Sequence, residues 1–255
     1  MNALQEEELE QAVDIALSKA EAKWKGGGHV LQKSSTYNDS VKSYVQEQKE
    51  SSIPGHPFVS DEGIVIDKFI AIVADMRDSS KHLQSVTSHK KADVSDIQRV
   101  FYETSALLPA LSMTINFQGG AVTEYLGDGV LALFKVDQDN PNTAMYAARR
   151  AAQDIIRTTR NIVNSALNEK YRLTPIDVGV GMAASKAMVT LVGAEIDKQP
   201  KVFGECVFRA TKLSIGRNVI YTDKILKQMW PTGKGGKVVF NHKKFGDLDG
   251  YRMTS

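Results

Sequence analysis

Apolar residues recur at two different periods along the chain, and the switches between them lay out its elements. In residues 4–25, Leu9, Ala12, Val13, Ala16, Leu17 and Ala20 fall at helical spacing, and Gly26-Gly27-Gly28 ends the pattern. This predicts an amphipathic helix whose apolar face suits docking on its own domain as well as it suits a dimer or a partner protein. Residues 29–63 are polar and rich in Ser, Lys and Gln, with a turn at Pro54-Gly55-His56-Pro57, and predict extended or irregular chain. The run Phe69-Ile70-Ala71-Ile72-Val73-Ala74 that follows Lys68 has no polar alternation, the mark of a strand buried on both faces, and it stops at Asp75. Residues 79–89 read as a short helix. Residues 94–117 read as a longer one, with Ile97, Val100, Phe101, Leu107 and Leu108 among its buried candidates.

From Gly119 to Phe134 the chain reads as two short strands folded about Gly127-Asp128-Gly129, because Asp-Gly between β-prone runs supplies the positive φ of a tight hairpin turn. Asn140-Pro141 opens a further helix, since proline's missing N–H costs nothing in a first turn. Its narrow face of Ala144, Ala147, Ala148, Ala151, Ala152, Ile155 and Ile156 implies close packing on a sheet. Strands are predicted at residues 176–182 and 187–192, with Gly193-Ala194-Glu195 after the second. A helix follows at residues 204–213, a short helix at 223–230 and a strand at 238–240.

At 255 residues and 42% hydrophobic content the chain can bury a substantial core. Its 32 basic and 30 acidic residues leave a net charge of +2, which argues against a generic nucleic-acid-binding surface. The single Cys206 excludes an intrachain disulfide, no apolar stretch approaches bilayer-spanning length, and the acidic start from Met1 to Glu8 is unlike a signal peptide. These features predict a cytoplasmic protein without a membrane partner. Gly233-Lys234-Gly235-Gly236 is glycine-rich, yet it lacks the spacing of a phosphate-binding P-loop.

Asp75 and Asp128 sharpen the picture. Each sits at the end of a predicted strand, and two carboxylates delivered by neighbouring strand ends suit hard divalent cations that keep positions open for phosphate oxygens. Ala74-Asp75-Met76, then the hairpin Gly127-Asp128-Gly129-Val130-Leu131-Ala132-Leu133-Phe134, then Val202-Phe203-Gly204-Glu205-Cys206-Val207-Phe208-Arg209-Ala210-Thr211-Lys212-Leu213 resemble the class III nucleotide cyclase catalytic domain. The resemblance holds in order and spacing over roughly residues 64–254. Asp75-Met76-Arg77-Asp78-Ser79-Ser80 stands where that family usually has Asp-Ile-x-Gly-Phe-Thr. It is similar to the variant in bacterial pyrimidine cyclases of Pycsar antiphage systems, which make cyclic UMP or cyclic CMP as an alarm signal.

The resemblance implies an α+β fold with a ferredoxin-like βαββαβ core, an antiparallel-rich sheet with helices packed on it, and an N-terminal helical extension. Residues 1–62 would be the helix and polar linker and residues 63–255 the catalytic domain. It implies two divalent cations, Mg2+ or Mn2+, held by Asp75 and Asp128, with Met76 lending only its backbone carbonyl or amide. One cation would help deprotonate a ribose 3′-hydroxyl and the other would clamp the phosphates, so that the 3′-oxygen attacks the α-phosphorus and pyrophosphate leaves. Lys243 is the best match for a lysine that binds the terminal phosphates, with Lys244 the near alternative. The family's transition-state Asn and Arg are replaced by Phe208 and Lys212. Lys212 keeps the positive charge without arginine's planar fork, and Phe208 offers stacking in place of a hydrogen bond.

At the two base-reading positions an adenylate cyclase has Lys and Asp, whereas this chain has Glu124 and Lys201. A carboxylate accepts hydrogen bonds and an ammonium only donates them, so adenine faces the wrong partners. Uracil offers its N3–H to Glu124 and a carbonyl to Lys201. Guanine presents a comparable edge, cytosine fits worse, and bulky Phe208 favours the smaller ring. The implied function is a homodimeric UTP cyclase with its sites between protomers, whose cyclic UMP is read by a cyclic-nucleotide-binding effector on another chain. A guanylate or cytidylate cyclase is the enzymatic alternative. A degenerate cyclase-like module that binds nucleotide or a partner is the non-enzymatic one, against which the intact Asp75 and Asp128 speak.

Overall fold

The computed structural model describes residues 1–26, 48–61, 63–79, 94–194, 197–231 and 237–254. Its organising element is the long strand β3 (Val65–Met76), which follows a small hairpin of β1 (Gln48–Glu50) and β2 (Phe58–Ser60). β3 lies between β5 (Gly129–Lys135) and β6 (Val178–Val192), antiparallel to both. Ile70, Ile72 and Ala74 enter one core, while Phe69, Ala71 and Val73 enter a second on the opposite face. A strand with a core on each face needs an apolar side chain at every position, which is why its sequence shows no alternation.

The main sheet runs β4 (Ala121–Tyr125), β5, β3, β6, β8 (Ile220–Asp223), β10 (Leu248–Thr254) and β9 (Val239–Phe245), with β7 (Gln199–Gly204) also paired to β6. β6 and β8 are parallel and the other pairs antiparallel. In chain order β3, β4, β5 and β6 stand in space as β4-β5-β3-β6, with helices after β3 and after β5, which is the ferredoxin-like βαββαβ arrangement. The first core is closed by α1 (Ala3–Lys25), α2 (Asp96–Phe117), α3 (Pro141–Asp154) and α4 (Arg160–Tyr171). α3 starts at Asn140-Pro141 as expected and presents Ala144, Ala147, Ala148, Ala151 and Ala152 inward. It passes into α4 through a π-helical turn, Ile155–Thr159, that brings the Thr159 hydroxyl within 2.7 Å of Thr114.

The face of α1 that the periodicity left open is covered by its own chain. Leu9, Val13, Leu17 and Ala20 are buried in the first core, Trp24 packs on Phe101 at 6.0 Å, and the Tyr171 hydroxyl donates to Glu21 at 2.7 Å. The second core is closed by α5 (Glu205–Leu213), by Ile53 and Val59 of the β1–β2 hairpin, and by the β6–β7 arm. That arm curls over the sheet to bury Val189, Leu191 and Val202 with Leu131 and Leu133. α5 sits very close to β6. A Cβ on Gly181 would come 2.0 Å from the Ala210 carbonyl oxygen, and one on Gly179 would come 1.8 Å from that of Ser214. Gly179 pairs with Asp75 in register, so this close packing sets the C-terminal end of α5 beside the β3 strand end.

Several expectations change. The strands expected at residues 176–182 and 187–192 are one continuous strand, because Ser185 and Lys186 stay paired with Phe69 and Lys68. The Ser185 hydroxyl, between the two predicted strands, accepts the Cys206 amide at 2.9 Å. The strand expected at residues 238–240 extends to Phe245 and forms a hairpin with β10, turning at Gly246 with φ +61°. Ile97, expected in the core, is 67% exposed, since it falls in the first turn of α2 before that helix reaches the sheet. The polar stretch before β3 contains the β1–β2 hairpin. The helix expected over residues 79–89 lies outside the described residues beyond Ser79, and so does the glycine-rich turn at 233–236.

Candidate active site

The acids expected at two strand ends are brought together. Asp75 pairs in register with Gly129, the residue after Asp128, and the Met76 amide donates to the Asp128 carbonyl oxygen at 3.0 Å. The Met76 amide is thus engaged within the protein, and the Met76 side chain is buried in the first core. The turn is closed by the Leu126 amide donating to the Gly129 carbonyl at 2.8 Å. Within it only Gly127 takes the left-handed conformation, at φ +90°. Gly129 serves a different need. A Cβ there would meet the Ala74 carbonyl oxygen at 2.5 Å and Asp75 Oδ1 at 2.8 Å, so its missing side chain is the space in which the carboxylates approach.

Burial, with the Asp128 charge and a hydrogen bond shared with Asp128 behind it, pushes the Asp75 carboxyl up to about 7. The Arg77 guanidinium opposes that rise, its Nη1 donating to Asp75 Oδ2 at 3.1 Å. The Ser79 hydroxyl donates to Asp128 Oδ2. Two carboxylates brought together at strand ends repel each other, and their oxygens are the ligands a hard divalent cation takes. The donor set therefore fits Mg2+ or Mn2+. Among the described residues no three or more His, Cys, Asp or Glu side chains converge as a metal cage, so backbone carbonyls, water and phosphate oxygens would complete the coordination.

Glu124 and Lys201, far apart in sequence, meet directly. Lys201 Nζ lies 3.0 Å from Glu124 Oε2, and both side chains keep about a third of their surface exposed. The curl of the β6–β7 arm is what carries Lys201 to the β4 edge. On α5, Phe208 is 60% exposed and Lys212 Nζ lies 4.4 Å from the centre of its ring. An ammonium over an aromatic face is held by the ring quadrupole, so Phe208 orients Lys212 and leaves its other face open. Lys243 lies exposed on edge strand β9, 5.4 Å from the rings of both Tyr221 and Phe245. Four strand spacings separate β9 from β3, roughly 19 Å, so one chain does not bring Lys243 to Asp75.

Reasoning from sequence did not assign Arg77, Ser79 or Gly129 to the site. Arg77 and Ser79 lay inside the Asp75-to-Ser80 motif, and Gly129 was credited only to the turn. It also missed the support beneath. The Arg77 amide donates to the Asp177 carbonyl at 2.8 Å, Asp78 holds φ +60°, and Arg217 pairs with both Asp78 and Asp177. Cys206 is fully buried with its thiol pushed up by desolvation, and it has no reactive character.

No family model matches the chain. Over 100 residues it is 27% identical to the terminal-differentiation specific adenylate cyclase of Dictyostelium discoideum, a span of 39% of this chain and 4% of that protein. Over 135 residues it is 25% identical to an adenylate cyclase of Anabaena cylindrica, covering 51% of this chain and 26% of the relative. The chain thus matches only a small part of the length of these relatives. Among solved structures it is similar to the guanylyl cyclase Cya2, with a TM-score of 0.61 at 16% identity over 75% of this chain and 93% of that one. The adenylyl cyclase CyaB from P. aeruginosa gives 0.60 at 14% identity over 76% and 96% of the two chains. These superpositions, with the strand order and the hairpin of acids above, show that the chain has the fold of the class III nucleotide cyclases.

Proposed function

We propose that this protein is a metal-dependent nucleotide cyclase that converts UTP to 3′,5′-cyclic UMP and pyrophosphate in a homodimer. The observation that carries the reading is the carboxylate pair Asp75 and Asp128, pressed together at the Gly129 crossing with Asp75 pushed up to about 7 by burial and its neighbour. Two repelling carboxylates held together at the cost of stability mark a functional site, and bound cations would offset that cost. Two divalent cations, Mg2+ or Mn2+, supply Lewis acidity and neutralise triphosphate charge when bound. Asp75 and Asp128 hold them, and Met76 keeps the Asp128 turn in register through its amide. Lys212, steadied over Phe208, faces the charge that develops on the α-phosphate, and Lys243 binds the terminal phosphates.

The preference for uracil rests on the Glu124–Lys201 pair. Paired at 3.0 Å, the two groups present one acceptor and one donor side by side, the complement of an N3–H next to a carbonyl. Guanine's O6 and N1–H edge is the competing fit. The homodimer is supported by the separation of Lys243 from Asp75 within one chain and by an apolar row on the sheet. Ile66, Met188 and Phe203 stand side by side across β3, β6 and β7 and are all exposed. A second copy would cover this row and bring its Lys212 and Lys243 opposite the first copy's acids. We further propose that the product is a second messenger in antiphage defence, read by a cyclic-nucleotide-binding effector on another chain.

The test is incubation of the pure protein with each of the four ribonucleoside triphosphates and Mn2+, with products identified by mass spectrometry. Cyclic UMP from UTP, lost in Asp128→Ala while that variant keeps its circular-dichroism spectrum, is the expected result. Cyclic GMP as the main product would transfer the assignment to a guanylate cyclase. No cyclic product from any of the four would leave a nucleotide-binding module.

A further inference from the structure

We propose that Arg77 serves two successive roles: counter-cation to Asp75 while the acid pair is metal-free, and triphosphate ligand once metal has displaced it. The inference rests on the cyclase reading for the identity of the triphosphate, though not for the displacement. Arg77 Nη1 donates to Asp75 Oδ2 at 3.1 Å, and the two side chains are similarly half-buried. Among the described residues this is the one hydrogen bond of the Arg77 side chain. A guanidinium carries five N–H donors in a planar fork, so most of its capacity is unspent.

The backbone beneath Arg77 is pinned whereas its side chain is not. Its amide donates to the Asp177 carbonyl at 2.8 Å, and the next residue, Asp78, is held through its carboxylate by Arg217. Arg217 also grips Asp177, whose second oxygen accepts from Asn218 at 2.5 Å. Reorienting Arg77 therefore means rotating its own torsions against one hydrogen bond, with no movement of the strand end. With a divalent cation held by Asp75, the guanidinium would be repelled from the same oxygen and would rotate away. The released fork matches the two oxygens of a phosphate, which an ammonium cannot do, and substrate delivers its phosphates to this place. The guanidinium would thus lower metal affinity before substrate arrives and raise substrate affinity afterwards.

The experiment uses the full chain and two probes that need neither turnover nor a base: Mn2+ alone, and inorganic triphosphate in the presence of saturating Mn2+, both by titration calorimetry. Arg77→Ala is expected to bind Mn2+ about fivefold more tightly, the size of one screened charge contact. The same variant is expected to bind triphosphate about tenfold more weakly, the loss of one forked, charge-assisted contact. Arg77→Lys, which keeps the charge without the fork, should return Mn2+ affinity to the wild-type value and leave triphosphate binding weakened. Mn2+ affinity that is unchanged or lower in Arg77→Ala overturns the proposal, as does unchanged triphosphate affinity. A wild-type protein that shows both shifts against its variants but makes no cyclic nucleotide would overturn the cyclase reading and uphold the role of Arg77. Full cyclase activity with neither affinity moved would do the opposite.

Discussion

Replacing Asp75 with Asn should make the metal-free protein more stable at pH 8, although it removes a residue proposed to hold the cations. The carboxyl rises from 3.8 to about 7, chiefly through burial and then through Asp128, so the folded state binds its proton more tightly than the unfolded chain does. The cost of ionising it in the fold is therefore absent below about pH 4, grows as pH rises, and is complete above about pH 7. About three pKa units at 1.36 kcal/mol each set a ceiling of about 4 kcal/mol. The side chain keeps 25% exposure, and solvent screening brings the working figure to about 2 kcal/mol. Asn is nearly isosteric and uncharged. In EDTA the variant's melting temperature should lie about 4–8 °C above wild type at pH 8, and about half as far above it at pH 5.5. Saturating Mn2+ should reverse the order, adding about 2.7 kcal/mol to wild type at a hundredfold excess over Kd and little to the variant. A variant less stable than wild type at pH 8 would show that the Arg77 ion pair outweighs desolvation, and a gain equal at both pH values would show that ionisation is not its source.

Further outcomes follow from the same geometry. Gly129→Ala should cost about 1–3 kcal/mol in a thermal melt, because its Cβ has no room between Ala74 and Asp75, and about a hundredfold in kcat, because the acids are driven apart. Glu124→Gln and Lys201→Ala should lower discrimination between bases about tenfold to a hundredfold while reducing turnover on the best substrate less, measured as ratios of kcat/KM. Unchanged selectivity in both variants would remove them from base reading. Inactive Asp75→Ala and Lys212→Ala chains should restore activity when mixed, since a heterodimer rebuilds one intact site; an active monomer without complementation on a sizing column refutes the shared site.

What was legible in the sequence was legible for physical reasons. β3 could be read because a core on each face demands apolar residues throughout, and the acid hairpin because Gly127 and Gly129 each meet a backbone constraint. Helix α3 carried both a proline start and an alanine face. β6 could not be read as one strand, since Ser185 is polar yet satisfied locally by an amide from α5, a partner no window of sequence contains. β9 has solvent along most of its length, so nothing imposes a period-two pattern on Asn241, His242, Lys243 and Lys244. Arg77 escaped notice for a related reason: a polar residue beyond a strand end has no periodicity to betray it, and its role appears only once Asp75 is seen beside it.

The site also explains why so much of the chain is spent on rigidity. Two carboxylates that repel would separate if either strand end could relax, so β3 is clamped between two cores and crossed by β5 at a glycine. Glycines 179 and 181 then press α5 against β6 next to that end, which fixes Lys212 on a helix rather than a loop. One chain nonetheless leaves Lys243 roughly 19 Å from Asp75, four strands away, and no rotation of a side chain spans that distance. Flexing the sheet to close the gap would break the cores that hold the acids. The proposed role of Lys243 on the terminal phosphates therefore requires a second copy to bring a Lys243 to the acids, and a two-fold axis that joins them once joins them twice.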